Sequence, residues 1–140
     1  MEIQADKIVV DAECHGPILR LAEPLSFWGG FDSSTGAITD VHHPQRGERI
    51  TATVLVLRGT RGSTSSTGDL VEAIHLGNGP VGIILGQPDL TVVTAVLMAA
   101  ELYGDKIPLL IIDPSKWSAL YTATEVSIAN GAVNIGATPA

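Results

Sequence analysis

The stretch "TATVLVLRGTRGSTSSTGDLVEAIHLGNGPVGIILGQPDLTVVTAVLMAAELYGDKIPLLIID", residues 51–113, decides the fold. "TATVLVL" (51–57) is a short apolar run rich in β-branched residues, which reads as a buried strand. The polar "RGTRGSTSSTG" (58–68) separates it from "DLVEAIHLGNG", where apolar residues fall at 70, 71, 74 and 76 with helical spacing. Ser66 with Asp69, or Thr67, can cap that helix, and Gly77-Asn78-Gly79 ends it. "VGIIL" is the next strand. "PDLTVVTAVLMAAELYG" is the next helix, with Pro88 at its start and Gly104 at its end, and "IPLLIID" is the third strand. Strand, helix, strand, helix, strand predicts a parallel sheet joined by right-handed crossovers.

On the N-terminal side, "KIVVDA" and "ILRLA" are strand-like and are separated by "ECHGP", a Gly-Pro breaker, so they read as an early hairpin. Residues 25–47, "LSFWGGFDSSTGAITDVHHPQRG", form a long structured loop with one short strand near Ala37 to Val41. On the C-terminal side, "PSKWSALY" gives one or two helical turns, and "EVSIANGAVNIG" closes the chain as a hairpin through Asn130-Gly131. The final residues, 136–140, read as a frayed tail. The predicted fold is a single α/β domain over 1–140, with a mixed, partly parallel sheet or small barrel and flanking helices.

The chain has 140 residues, 45% apolar and 16% charged, which fits one folded domain. Its charge is lean for a surface that meets only water, so part of that surface is expected to face a partner. A net charge of −7 and the lack of a basic stripe exclude nucleic acid as a partner. The apolar runs are strand-length, too short for a bilayer, and "MEIQADKIVV" lacks the features of a signal peptide. A cytoplasmic protein that avoids membranes is expected. Cys14 is the single cysteine, so no internal disulfide or CxxC motif exists. It reads as a small buried or half-buried residue rather than a nucleophile. His15, His42, His43 and His75 include no HxxxH pair, so no metal is expected on this chain.

The sharpest chemical feature is residues 58–68. Arg58 and Arg61 carry positive charge there. Ser63, Thr64, Ser65, Ser66 and Thr67 offer hydroxyls, and the glycines let the backbone approach a ligand. Such a loop between a strand and a helix N-terminus suits a carboxylate or phosphate. The plainer reading is a hydroxyl-rich loop with an ordinary helix cap. It is neither a P-loop nor a GxSxG elbow. His42 and His43 precede Pro44 and so lie in extended loop, within reach of a ligand or partner. Asp32 opening "DSSTG" is a natural Asx-turn. On these residues two classes stay open: part of an enzyme whose loop supplies a hydroxyl or an arginine, and a non-catalytic binding domain.

Taken together, "EPLSFWGGFDSSTGAITDVHHPQRG", "VLVLRGTRGSTSS" and "QPDLTVVTAVLMAAELYGDKIPLLIID" resemble the aconitase X family, specifically its small subunit, a swivelling β/β/α-type domain. The resemblance runs from residue 16 to residue 120, and the ordered combination of its motifs is specific where each alone is weak. It implies a hydro-lyase built from a large catalytic subunit and a small one. The large subunit would carry an iron–sulfur cluster, and this chain would bind no cofactor itself. It implies that the serine loop closes over the substrate, with Ser63 as base and Thr64 as runner-up, and that Arg61, Gly62, Thr64 and Ser65 bind a small hydroxy acid. Phe27, Trp28, Gly29, Gly30 and His43 are then expected to face the large subunit, the plainer reading of Phe27 and Trp28 being a plug at one end of this domain's own core. Two substrates follow from the resemblance: cis-3-hydroxy-L-proline, favoured by the likeness of residues 88–113 to the bacterial type, and mevalonate 5-phosphate. The last twenty residues match no family pattern, and nothing is carried onto them.

Overall fold

The computed structural model describes residues 1–27, 29–61 and 67–135. Its strands are β1 (Glu2–Gln4), β2 (Lys7–Val10), β3 (Cys14–Arg20), β4 (Phe31–Asp32), β5 (Ala37–Ile38), β6 (Val54–Leu57), β7 (Gly82–Leu85), β8 (Leu109–Ile111), β9 (Glu125–Ala129) and β10 (Ala132–Ile135). Its helices are α1 (Thr67–His75) and α2 (Leu90–Tyr103). Two 3-10 turns follow β8, Pro114–Lys116 and Ser118–Tyr121. The eight-stranded sheet runs in the order β1-β10-β9-β3-β6-β7-β8-β2, while β4 and β5 form a separate hairpin. β3, β6, β7 and β8 pair in parallel, and the other neighbours in the large sheet are antiparallel.

β1 and β2 sit at opposite ends of that order, yet only Ala5 and Asp6 separate them in the chain. Ala5 N–H donates to the Gly131 carbonyl at 3.0 Å and Asp6 N–H to the Ile111 carbonyl at 2.9 Å. The sheet therefore curls until its two edges meet in one bent stretch of chain, the barrel-like option among the sequence expectations. At the meeting point Asn130 and Gly131 both have positive φ, 53° and 72°, as the two-residue β9–β10 turn requires. A Cβ on Gly131 would lie 2.2 Å from Ile8 Cδ1.

The central strands are buried on both faces, and their side chains sort alternately into two cores. Leu55, Leu57, Ile83, Leu85, Leu109 and Ile111 join the core beneath the helices, with Val92, Ala95, Val96 and Ala99 of α2 and Leu70 and Ile74 of α1. Val54, Val56, Ile84 and Leu110 point into the curl, where Trp117, Leu120, Val126, Ile128 and Val133 fill the space. Helix ends follow ordinary capping chemistry. Asp89 caps α2, accepting from Val92 N–H, and Gly104 closes it at φ 73°. Gly77, at φ 78°, follows α1. No described helix is long and apolar enough to cross a membrane.

Three expectations need correction. Residues 7–12 and 18–22 do not form a hairpin: β2 pairs with β8, while β3 pairs with β9 and then β6. Gly16-Pro17 lies inside β3 rather than breaking it. A Cβ on Gly16 would meet the Ala52 carbonyl at 2.9 Å, so this glycine serves close packing, and Pro17 stands where β3 changes partner from β9 to β6. Second, β1 is a strand that the reading did not assign. Third, Phe27 does not face a partner. It is fully buried in the helix-side core, its ring 5.1 Å from that of Phe31 in an edge-on contact. Trp28 and the tail 136–140 lie outside the described residues.

Two variants test this architecture. Phe27→Ala leaves a cavity in the isolated domain and is expected to cost about 3–5 kcal/mol in urea unfolding. An unaltered unfolding midpoint would place Phe27 outside the core. Gly131→Ala forces a left-handed alanine against Ile8 and is expected to cost about 1–3 kcal/mol, whereas Asn130→Gly should stay within about 0.5 kcal/mol of wild type.

Candidate functional site

Because β3, β6, β7 and β8 run parallel, their carboxyl ends emerge at one edge of the sheet. The segments leaving them are Arg20–Leu25, Arg58–Arg61, Gly86–Asp89 and Asp113. Ligands of open α/β sheets gather at such an edge. Residues 62–66, which hold Gly62, Ser63, Thr64 and Ser65, lie outside the described residues, and the residues that flank them frame the site.

The entrance to that segment is held from two sides. Arg61 N–H donates to the Leu25 carbonyl at 3.2 Å, and Leu25 and Thr60 form a parallel bridge. Opposite, the Asp89 carboxylate accepts from Thr60 N–H at 2.7 Å and from Thr60 Oγ1 at 2.8 and 3.0 Å. Gly59 lets this happen, since a Cβ there would stand 3.1 Å from Gln87 Nε2 and 3.3 Å from Asp89 Oδ2. On the far side of the segment, Thr67 begins α1. The predicted strand-to-helix setting of the hydroxyl-rich loop is therefore the observed one.

The charges at this edge have distinct partners. Arg61 faces Glu23 at 3.6 Å, with both side chains half exposed, so this pair contributes little to stability. Arg20 donates to the carbonyls of Leu120 and Ala123. Lys116 pairs with Asp6, whose carboxyl is held below the usual range by that hydrogen bond first and by the Asp113 amide second. Arg58 is exposed and lies over the Trp117 ring, 5.9 Å from its centre. Among the described residues it is the cation of this edge with no carboxylate or carbonyl partner.

The "HHPQRG" segment has a role that its spacing did not reveal. His43 is 5% exposed and does not present itself to a partner. Its Nδ1 accepts from Gln45 N–H at 3.0 Å, which leaves Nε2 as the donor to the Glu23 carbonyl at 3.1 Å. Gln45 donates from Nε2 to the Arg20 carbonyl at 2.7 Å and accepts from Ala22 N–H at 2.8 Å. Together they fix the chain leaving β3, which carries Glu23 and Leu25 to Arg61. His42 is exposed, and Gly29 is exposed while Gly30 is buried. Asp32 makes the expected Asx-turn, accepting from Ser34 N–H at 2.9 Å. Sequence reasoning missed Gln45 and gave Asp89 no role. A Gln directly after a His-Pro pair and an Asp directly before a helix are the signals that were available.

Comparison with known proteins gives a consistent picture. The aconitase X swivel domain family matches residues 2–135. Cis-3-hydroxy-L-proline dehydratase of Hypocrea jecorina is 32% identical over 125 residues, 89% of this chain and 21% of that protein, so this chain spans about a fifth of its length. The small subunit of phosphomevalonate dehydratase from Methanopyrus kandleri is 38% identical over 103 residues, 72% of either chain. The crystal structure of holo-form aconitase X from Thermococcus kodakaraensis superposes with a TM-score of 0.82 at 26% identity, covering 98% of this chain and 99% of that one. With the family matched from β1 through β10 and the curled mixed sheet shared, this chain belongs to the aconitase X swivel domain family.

Proposed function

We propose that this chain is the small subunit of an aconitase X-type hydro-lyase, and that with a larger partner it dehydrates cis-3-hydroxy-L-proline to a pyrroline-2-carboxylate. The observation that carries the reading is the fixed strand end Arg58–Arg61, the residues directly before the serine segment, at the edge where four parallel strands finish. Relatives on both sides of the comparison are named dehydratases. The exposed apolar residues Leu90, Leu97, Met98 and Leu102 on the outer face of α2 support a protein partner.

In this reading Ser63, with Thr64 as runner-up, takes as its alkoxide the proton from the carbon next to the substrate carboxylate; the C–H electron pair becomes the C=C bond as the C–O bond breaks, and the departing hydroxide with that proton makes up the water released. Serine is a poor base at its free pKa, so the closed complex must activate it. Arg61, Gly62, Thr64 and Ser65 bind the carboxylate, whose charge grows as the transition state becomes enolate-like. Gly29, which is exposed, belongs to the surface offered to the partner, whereas Gly30 is buried against Ser26 and Asp40 and does not. The chain's own residues do not fit an iron–sulfur cluster. Cys14 is its single cysteine, burial pushes that thiol up to about 11, and no three His, Cys, Asp or Glu side chains gather among the described residues to hold a metal. The cluster is assigned to the partner, and no step through it to this chain.

Charge supports the substrate. Hydroxyproline brings one carboxylate, and Arg58, which has no carboxylate or carbonyl partner among the described residues, can assist Arg61 in holding it. Mevalonate 5-phosphate brings a carboxylate and a phosphate. The second reading, a mevalonate 5-phosphate dehydratase small subunit, is favoured by the higher identity and comparable length of the Methanopyrus kandleri relative.

The test is co-expression with the large subunit, purification of the complex, and assay of both substrates. The complex is expected to dehydrate cis-3-hydroxy-L-proline with kcat/KM at least about tenfold above that for mevalonate 5-phosphate. The reverse preference establishes the second reading, and turnover by this chain alone overturns both. Ser63→Ala is expected to lower kcat by a factor of about 10² to 10⁴, with Thr64→Ala and Ser65→Ala losing less. If Thr64→Ala is the inactive variant, Thr64 is the base. A separate check concerns Cys14. Iodoacetamide at neutral pH should label it at least about tenfold more slowly in the folded chain than in urea, because the raised pKa keeps the thiol protonated.

A further inference from the structure

We propose that Asp89 is a positioning residue for the reaction, acting through Thr60 to set where the serine segment starts. The inference rests on the dehydratase reading above. One carboxylate serves two elements. Its Oδ1 caps α2 through Val92 N–H at 3.1 Å, and its Oδ2 accepts Thr60 N–H at 2.7 Å. Thr60 Oγ1 lies within 3.0 Å of both oxygens.

A helix cap alone needs one acceptor, and Ser, Thr or Asn would serve as well. The second oxygen is what the cap leaves unexplained. It holds the backbone at the residue before Arg61, on the side opposite the Leu25 contact. Only a carboxylate offers acceptors to both N–H groups and the hydroxyl without bringing a donor of its own. Gly59 and Thr60 complete the arrangement: the glycine clears space for Asp89 and Gln87, and the threonine supplies a second donor. The α2 N-terminus is in turn anchored by buried Val92, Ala95 and Val96. The start of the serine segment is thus tied to the helix-side core through one side chain.

Asp89→Asn separates the two duties. The amide still caps α2, but its NH₂ group cannot accept from Thr60 N–H. In the assembled complex, on whichever of the two substrates wild type turns over, Asp89→Asn is expected to lower kcat by about 10- to 100-fold with KM within about threefold, the signature of misplacement rather than lost binding. Thr60→Val should lose about 3- to 10-fold, and Thr60→Ser, which keeps the hydroxyl, should stay within about twofold. On the isolated chain, amide exchange at Thr60 should quicken at least about tenfold in Asp89→Asn while that at Val92 is unchanged. If Asp89→Asn and Thr60→Val keep more than about half of wild-type kcat per assembled complex while Ser63→Ala is inactive, the positioning role is overturned and the dehydratase reading stands. If Ser63→Ala is active while Asp89→Asn is slow and its Thr60 amide exposed, the clamp is supported and the serine assignment fails. A drop in complex yield or melting temperature with unchanged kcat also overturns the proposal, because that is what a purely structural cap would give.

Discussion

Burial of β6, β7 and β8 on both faces is the constraint on which the rest of the structure depends. Val54–Leu57, Gly82–Leu85 and Leu109–Ile111 are closed to solvent along their length. A sheet with two apolar faces needs two covers, and the described residues offer two α-helices. Both go to one side, where the Leu25 to Ile50 region helps them through Leu25, Phe27, Phe31, Ile38 and Ile50. The other face is covered by the sheet itself. It bends round until β9, β10 and the Trp117 turn close over Val54, Val56, Ile84 and Leu110, with Trp117 Nε1–H satisfied by the Ile112 carbonyl at 2.9 Å.

This division explains what the sequence could and could not reveal. The parallel unit was legible because each strand is a short unbroken apolar run and each helix carries its stop: Gly77 after α1, Gly104 after α2. The β9–β10 hairpin was legible from Asn130-Gly131. Pairings set by curling were not. β2 joins β8 across a hundred residues of chain, and nothing local in "KIVV" distinguishes that partner from a nearby one. Likewise "GP" normally signals a turn, and only the approach of Ala52 to Gly16 shows why the pair sits within a strand here. Phe27 occupies the core, which is the less favoured of its two sequence readings for a related reason. A bulky residue beside two glycines looks exposed until the partner Phe31 and the floor of helices are in view.

The site was legible in its setting and illegible in its supports. A Gly- and hydroxyl-rich stretch between a buried strand and a helix is a local pattern, and the resemblance gave its serines their expected roles. The groups that hold it are distant in sequence: Leu25 lies 35 residues before Thr60, Asp89 lies 29 after it, and Gln45 acts on Arg20 and Ala22. Each is a backbone-directed hydrogen bond, the kind of interaction that side-chain spacing does not encode.

These supports share a design with a physical consequence. Arg61 and Thr67, the described residues on either side of 62–66, belong to fixed parts: the first to the bracket of Leu25 and Asp89, the second to the first turn of α1. α1 and α2 pack on the same core, and Asp89 begins α2. The frame around the serine segment is therefore one body, continuous with the buried strands. Catalysis that depends on a hydroxyl placed to within a fraction of an ångström favours such a mounting, since precision comes from rigid elements and their hydrogen-bonded supports rather than from the loop itself. Under the dehydratase reading proposed above, a small domain that approaches a substrate held by its partner would carry the serine segment and its frame as a unit. The bonds of Leu25, Asp89, His43 and Gln45 described above run to groups of this chain, so the bracket is built from its own backbone and side chains.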